Sequence, residues 1–210
     1  PSSFSGIAAE SVYATDLDGD GDADVLATDR YDKVVWYENF GAGSFGAEQT
    51  ITAALDWPTS VYATDLDGDG DADVLSTSSY DDTIAWSENL GGSFGPLQII
   101  SAAEDGARSV YAADLDGDGD ADVILAAYTV VWFENLGGGS FSAKRSINDV
   151  NGAGWVVAND LDGDGDADIL TAEGDLLTWY ENLGGGNFGP PQVIGTADNI
   201  VTVQATDFDG

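Results

Sequence analysis

DLDGDGDAD, running from Asp16 to Asp24, recurs unchanged at Asp65–Asp73, Asp114–Asp122 and Asp160–Asp168, and opens a fifth time as DFDG at Asp207. The copies start 49, 49, 46 and 47 residues apart. Other landmarks keep the same phase. Each complete loop is followed by Trp-x-Glu-Asn (Trp36–Asn39, Trp86–Asn89, Trp132–Asn135, Trp179–Asn182), then by a Gly-rich turn ending at Phe45, Phe94, Phe141 or Phe188. A repeat of this length is one supersecondary unit that buries its apolar face only by stacking on the next unit.

Within the unit, short runs rich in Val, Ile, Trp and Tyr alternate with Gly, Asp and Asn, the pattern of strands and turns. Strands are expected at residues 11–15, running into the Asp loop, at 24–28, at 34–37 and, after the Gly turn, at 49–51, with counterparts of the last at 98–100 and 192–194. No stretch holds a 3.6-residue apolar period, so helix is expected to be nearly absent. Four strands per unit make a β-propeller blade; a calcium-binding β-helix repeats every nine residues or so, far too short a period. The expected layout is one all-β repeat domain over 1–210: a lead-in strand at 1–10, blades at 11–59, 60–108, 109–154 and 155–200, and the first strand of a further blade at 201–210. A ring of six to eight such blades needs about 290 to 380 residues. The chain therefore reads as part of a longer protein, or as a protomer whose ring another chain completes.

The Asp loop reads as a metal site. Asp16, Asp18 and Asp20 hold positions 1, 3 and 5, Gly21 holds position 6 and Asp24 position 9. Alternate carboxylates with a glycine at 6 open the EF-hand loop, where they converge on one ion. Here the closing acid comes at position 9, on the next strand, and Asp24 is the expected bidentate closer. Asp22, at position 7, is expected to offer its backbone carbonyl with its side chain in solvent. The corresponding candidates are Asp65, Asp67, Asp69, Asp71 and Asp73; Asp114, Asp116, Asp118, Asp120 and Asp122; Asp160, Asp162, Asp164, Asp166 and Asp168; and Asp207 and Asp209 in the last loop. An all-oxygen, carboxylate-rich donor set suits Ca²⁺ better than Mg²⁺ or Zn²⁺, and one Ca²⁺ per complete blade is expected. Two carboxylates ~4 Å apart repel by about 4 kcal/mol at an effective dielectric near 20, so such a cluster calls for a cation.

These motifs resemble the FG-GAP/VCBS repeats of integrin α-subunit propellers and many bacterial surface proteins. The resemblance rests on the D-x-D-x-D-G-x-x-D loop, the Asn-(Leu/Phe)-Gly turn and the Phe-Gly pairs at Phe45, Phe94 and Phe188; Phe141 is followed by Ser142 instead. It covers about residues 11–210 and implies a propeller with Ca²⁺ in the hairpin between the first two strands of each blade. It implies no single activity, since such repeats serve in adhesion modules, lectins and parts of polysaccharide lyases.

Composition narrows the rest. Of 39 acids, 31 are Asp, against 5 bases, for a net charge of −34. The five loops hold 22 of those Asp, yet the remainder of the chain is acidic as well. Such a surface excludes nucleic-acid backbones and anionic lipid as partners, and no apolar run approaches the ~18 residues that span a bilayer. The absence of Cys removes disulfides and thiolate sites, and the absence of His removes the commonest general base. The repeated Trp36, Trp86, Trp132 and Trp179 read as packing between blades. Glu38, Glu88, Glu134 and Glu181 are unsuited to glycosidase chemistry, which needs a unique pair.

In an up-and-down meander, the Asp loops and Gly turns share one end of the blade, and the remaining turns and linkers share the other. The second end collects the segments that break the repeat: 29–33, 78–82, 56–59, 104–108 and 151–155, with Trp57, Trp155, Tyr31, Tyr80, Arg30, Lys33 and Arg108. Varied loops on a rigid scaffold are where binding evolves. The expectation is a secreted or cell-surface, calcium-stabilised, non-catalytic propeller that binds protein or glycan at this end. The partner could also be the chain itself or the remainder of its ring. The alternatives are a segment of a polysaccharide lyase, or an architectural subunit of a surface filament.

Overall fold

A computed structural model describes residues 8–147, 152–198, 200 and 202–205. These contain strands and turns but no helix, as the missing 3.6-residue period led us to expect. The strands form four antiparallel sheets of four, each a simple meander. The first holds β1 (Ala9–Thr15), β2 (Asp24–Asp29), β3 (Lys33–Tyr37) and β4 (Gln49–Thr52). The second holds β5 (Pro58–Thr64), β6 (Asp73–Ser78), β7 (Thr83–Ser87) and β8 (Gln98–Ser101). The third comprises β9 (Ser109–Ala113), β10 (Asp122–Ala126), β11 (Val130–Phe133) and β12 (Arg145–Ser146), and the fourth β13 (Ala153–Asn159), β14 (Asp168–Glu173), β15 (Leu176–Tyr180) and β16 (Gln192–Thr196). These are propeller blades.

Strand limits differ from the sequence expectation by a residue or two. Ala9 and Glu10 belong to β1 rather than to a separate lead-in strand, and a register shift follows between Ala9 and Val12. The same irregularity lies between Pro58 and Ser60 and between Ala153 and Trp155, so β5 and β13 begin before the expected blade boundaries. Such bulges leave no clear mark in the apolar pattern. Of the segment read as opening a further blade, residues 202–205 are not in a strand, and 201 and 206–210 lie outside the described residues, as do 1–7, 148–151 and 199.

In the second and third blades the inner strands are buried along their length, every residue of β6, β7, β10 and β11 included. Strands covered on both faces lose the apolar–polar alternation of a half-exposed sheet. The outermost β4, β8, β12 and β16 remain largely exposed.

The chain divides into two compact units, Pro1–Ala107 with β1–β8 and Arg108–Gly210 with β9–β16. Each unit has its own core. In the first, Leu17, Leu26, Val34 and Trp36 of one blade meet Leu55, Val61 and Val74, and Phe94 packs edge-on to Trp36 with ring centroids 6.1 Å apart. In the second, Leu115, Ile124 and Trp132 meet Val156, Ile169 and Tyr180, with Phe188 against them. So Trp36 and Trp132 each pack beneath the Gly-Phe turn of the following blade in their own unit. The fit is close: a Cβ at Gly186 would stand 2.6 Å from the Trp132 ring. Burial of each such side chain stabilises the unit by roughly 1.5–3 kcal/mol.

Candidate metal centres

Each Asp loop joins the first two strands of its blade. Thr15 pairs with Asp24 at its base, as Thr64 does with Asp73, Ala113 with Asp122 and Asn159 with Asp168. The loop is held by its own side chains. Asp16 accepts hydrogen bonds from the Gly19 and Gly21 amides at 2.8 and 2.9 Å, Asp18 from the Asp20 amide, and Asp20 from the Asp22 amide. The other three loops repeat this pattern, with Asp65, Asp114 and Asp160 in the place of Asp16. Both glycines have positive φ, 80° at Gly19 and 93° at Gly21. The sequence comparison drew attention only to the second, yet the first bends the chain so that position 1 can collect two amides.

The position-9 aspartates are fully buried. Asp24 accepts from the Leu17 amide at 3.0 Å and the Asn39 amide at 2.7 Å, and the other three make the matching pairs of bonds. Burial pushes Asp73 up to about 6 and Asp122 up to about 7, with those backbone bonds opposing and neighbouring loop carboxylates reinforcing the rise. Asp24 is raised for the same reasons. A nearby cation would act in the opposite direction.

In each of the four described loops the carboxylates of positions 1, 3 and 9 come together: Asp16, Asp18 and Asp24; Asp65, Asp67 and Asp73; Asp114, Asp116 and Asp122; Asp160, Asp162 and Asp168, each trio offering oxygens within 4.8 Å of one another. Oxygens about 2.4 Å from a common ion can stand no more than about 4.8 Å apart, so each trio fits a hard divalent cation such as Ca²⁺. Positions 5 and 7 are outside these trios. In the second blade Asp69, at position 5, instead joins Asp67 and Glu88. In the first, third and fourth blades the position-7 side chain leans over the Gly turn of its own blade, where a Cβ at Gly41 would lie 2.9 Å from Asp22 Oδ2. Asp207 and Asp209 lie outside the described residues. The ion pairs described, Arg30–Glu10, Lys33–Glu48 and Arg145–Glu134, use no loop aspartate.

Two residue types around the loop escaped the sequence reading. The Asn of Trp-x-Glu-Asn clamps it: Asn89 Nδ2 donates to Ala72 O of its own loop and, at 2.7 Å, to Leu17 O of the preceding blade, and Asn182 does the same with Ala167 and Leu115. The Leu at position 2 points inward in the first three loops, where Leu17, Leu66 and Leu115 are 1–3% exposed, whereas Leu161 in the fourth is 41% exposed. The signal for both was their strict phase with the Asp loop.

With this geometry in place, comparison with known proteins is decisive at the level of family. The FG-GAP-like repeat profile matches residues 16–76, 65–125, 126–171 and 160–210. The chain belongs to the FG-GAP-like repeat family. No curated protein matches the sequence. In fold, this FG-GAP-like chain is similar to an Agrocybe aegerita lectin solved for its specific recognition of non-reducing terminal N-acetylglucosamine (22% identity, TM-score 0.64, covering 90% of this chain and 53% of the lectin). It is also similar to BBS1N, solved in complex with ARL6DN (12% identity, TM-score 0.63, covering 92% and 59%). The chain thus spans a little over half the length of these solved chains.

The opposite end of the blades gathers the linkers and the remaining turns. Ser79 N donates to Trp57 O, Glu104 N to Asp82 O and Gly152 N to Tyr128 O. In the first unit, Asp81 accepts from the Asp56 amide at 2.6 Å, Arg30 lies 5.6 Å from the Trp57 ring centre, and Trp57 meets Tyr80. The variable residues of segments 29–33, 56–59 and 78–82 therefore form one cluster.

Proposed function

We propose that the chain is a calcium-stabilised propeller module, secreted or on the cell surface, that binds a protein or glycan ligand at the linker end of its blades. The observation that carries this reading is the trio of carboxylates brought within reach of one ion in each of four loops. Like charges held this close favour a folded chain only when a cation lies between them. Each ion would pin its own hairpin, which in the first and third loops carries a buried Leu whose carbonyl accepts from the Asn of the following blade. Multi-Asp loops of this openness suit the millimolar calcium of extracellular space. The reading is non-catalytic: Glu38, Glu88, Glu134 and Glu181 recur at one place in every blade, whereas carbohydrate cleavage requires a unique pair in a single cleft. Similarity of fold to a lectin supports the glycan branch.

The test is a thermal melt in CaCl₂ and in excess EDTA, with native mass spectrometry to count ions. At ten times its dissociation constant each ion adds about 1.4 kcal/mol. Loss of four should lower the melting temperature by upwards of about 10 °C. Identical melts in the two buffers, or a protein that takes up no calcium, would reject the proposal.

A further inference from the structure

Trp57 occupies a position where the third and fourth blades carry glycine. Eight residues ahead of the Asp loop, the third blade has Gly106 at φ 73° and the fourth Gly152 at φ 98°, while the second has Trp57 at φ 57°. A left-handed backbone costs an L-residue on the order of 1–2 kcal/mol, and for a bulky side chain it is an outlier. Core packing does not account for it. Trp57 is only half-buried, and the ring it meets edge-on at 5.3 Å, Tyr80, is 67% exposed. Asp56, next to Trp57 in the chain, has its carboxyl pushed up by loss of solvation and by the neighbouring carboxylates of Asp32 and Asp81. Strain kept at a position outside the buried core points to use.

We propose that Trp57, Tyr80, Asp32 and Asp56 form a subsite for a neutral pyranose, on the linker end of the first unit. This deepens the binding-module reading above and rests on it. A pyranose presents a C–H face, which packs on the exposed ring of Tyr80 braced edge-on by Trp57, and a rim of hydroxyls, which donate to carboxylates in charge-assisted bonds. Charge disfavours the competing ligands. An anionic sugar would approach Asp32, Asp56 and Asp81 together. A cationic side chain would compete for the Trp57 face already covered by Arg30, which is itself anchored to Glu10 at 2.6 Å.

The full chain in saturating calcium is applied to an array of neutral and uronic-acid oligosaccharides, with a hexa-arginine peptide as a further probe. Trp57→Gly and Tyr80→Ala are compared with the unaltered protein. Neutral glycans are expected to bind and the other probes to fail. Trp57→Gly should melt at or above the parent temperature, because glycine relieves the backbone, while both variants bind about tenfold more weakly or worse. A neutral array left blank, binding undiminished in both variants, or a preference for uronates or hexa-arginine would overturn the proposal. If Trp57→Gly proves too unstable to assay, Tyr80→Ala decides. A chelator-insensitive melt with neutral-glycan binding intact would remove the calcium reading alone; a blank array with a chelator-sensitive melt would remove this subsite alone.

Discussion

Asp73 has two tasks, since both of its buried oxygens accept backbone amides, from Leu66 at 2.9 Å and Asn89 at 2.8 Å, and the same carboxylate belongs to an ion-sized trio. In Asp73→Asn one of those amides would face an NH₂ group. We expect a loss of about 1–3 kcal/mol in a denaturant titration and one fewer calcium by native mass. Asp71→Asn keeps the backbone carbonyl and alters only an exposed side chain, so its cost should be within about 0.5 kcal/mol. Equal costs for the two variants would contradict this division of roles. Tyr37 provides a pH test. Burial, then the neighbouring Glu48, pushes its phenol up to about 12 from an ordinary 10.0. Between those values the unfolded chain has released a proton that the folded chain retains, so stability falls as pH rises through the window. Tyr37→Phe should flatten that fall when denaturation midpoints are compared at pH 9 and 11. The presence of acids at alternate positions was plain in the sequence, but which of them converge was not. Positions 1, 3 and 9 meet because β2 begins at position 9 and swings its carboxylate under the loop.

Asn89 links one hairpin to the next, and its carbonyl partner Leu17 lies 72 residues away. Asn39, in the first blade, donates within its own blade, to Ala23 O at 2.9 Å. Asn89→Ala should therefore cost about 1 kcal/mol more than Asn39→Ala, the difference being the cross-blade bond. Two neighbouring glycines separate strain from overlap. Gly185→Ala and Gly186→Ala both place a side chain at positive φ, 63° and 67°, but only the second drives a Cβ into the Trp132 ring. Melting temperatures should show a loss of about 1–2 kcal/mol for Gly185→Ala and a clearly larger loss for Gly186→Ala. The strands around these residues were legible from local chemistry. The bulges at Ala9, Pro58 and Ala153 were not, since they arise from pairing with the second strand of the blade.

A net charge of −34 on 210 residues is self-repelling, and four divalent ions would cancel about 8 of those charges where they are densest. Added NaCl should therefore raise the melting temperature of the metal-free protein more than that of the calcium-loaded one; a scan of both forms across ionic strength checks this. A repeated sequence determines repeated local structure, so the four blades, the all-β class and the bent aspartate loops were all present in the order of residues along each unit. Contacts between neighbouring repeats are different in kind. The burial of Leu17 and Leu115, the seating of Trp36 beneath Phe94 and of Trp132 beneath Phe188, and the meeting of Trp57 with Arg30 join residues from separate repeats. Nearest-neighbour chemistry carries no record of such partners, because they become neighbours only when blades stack and turns from different repeats are brought to the same end.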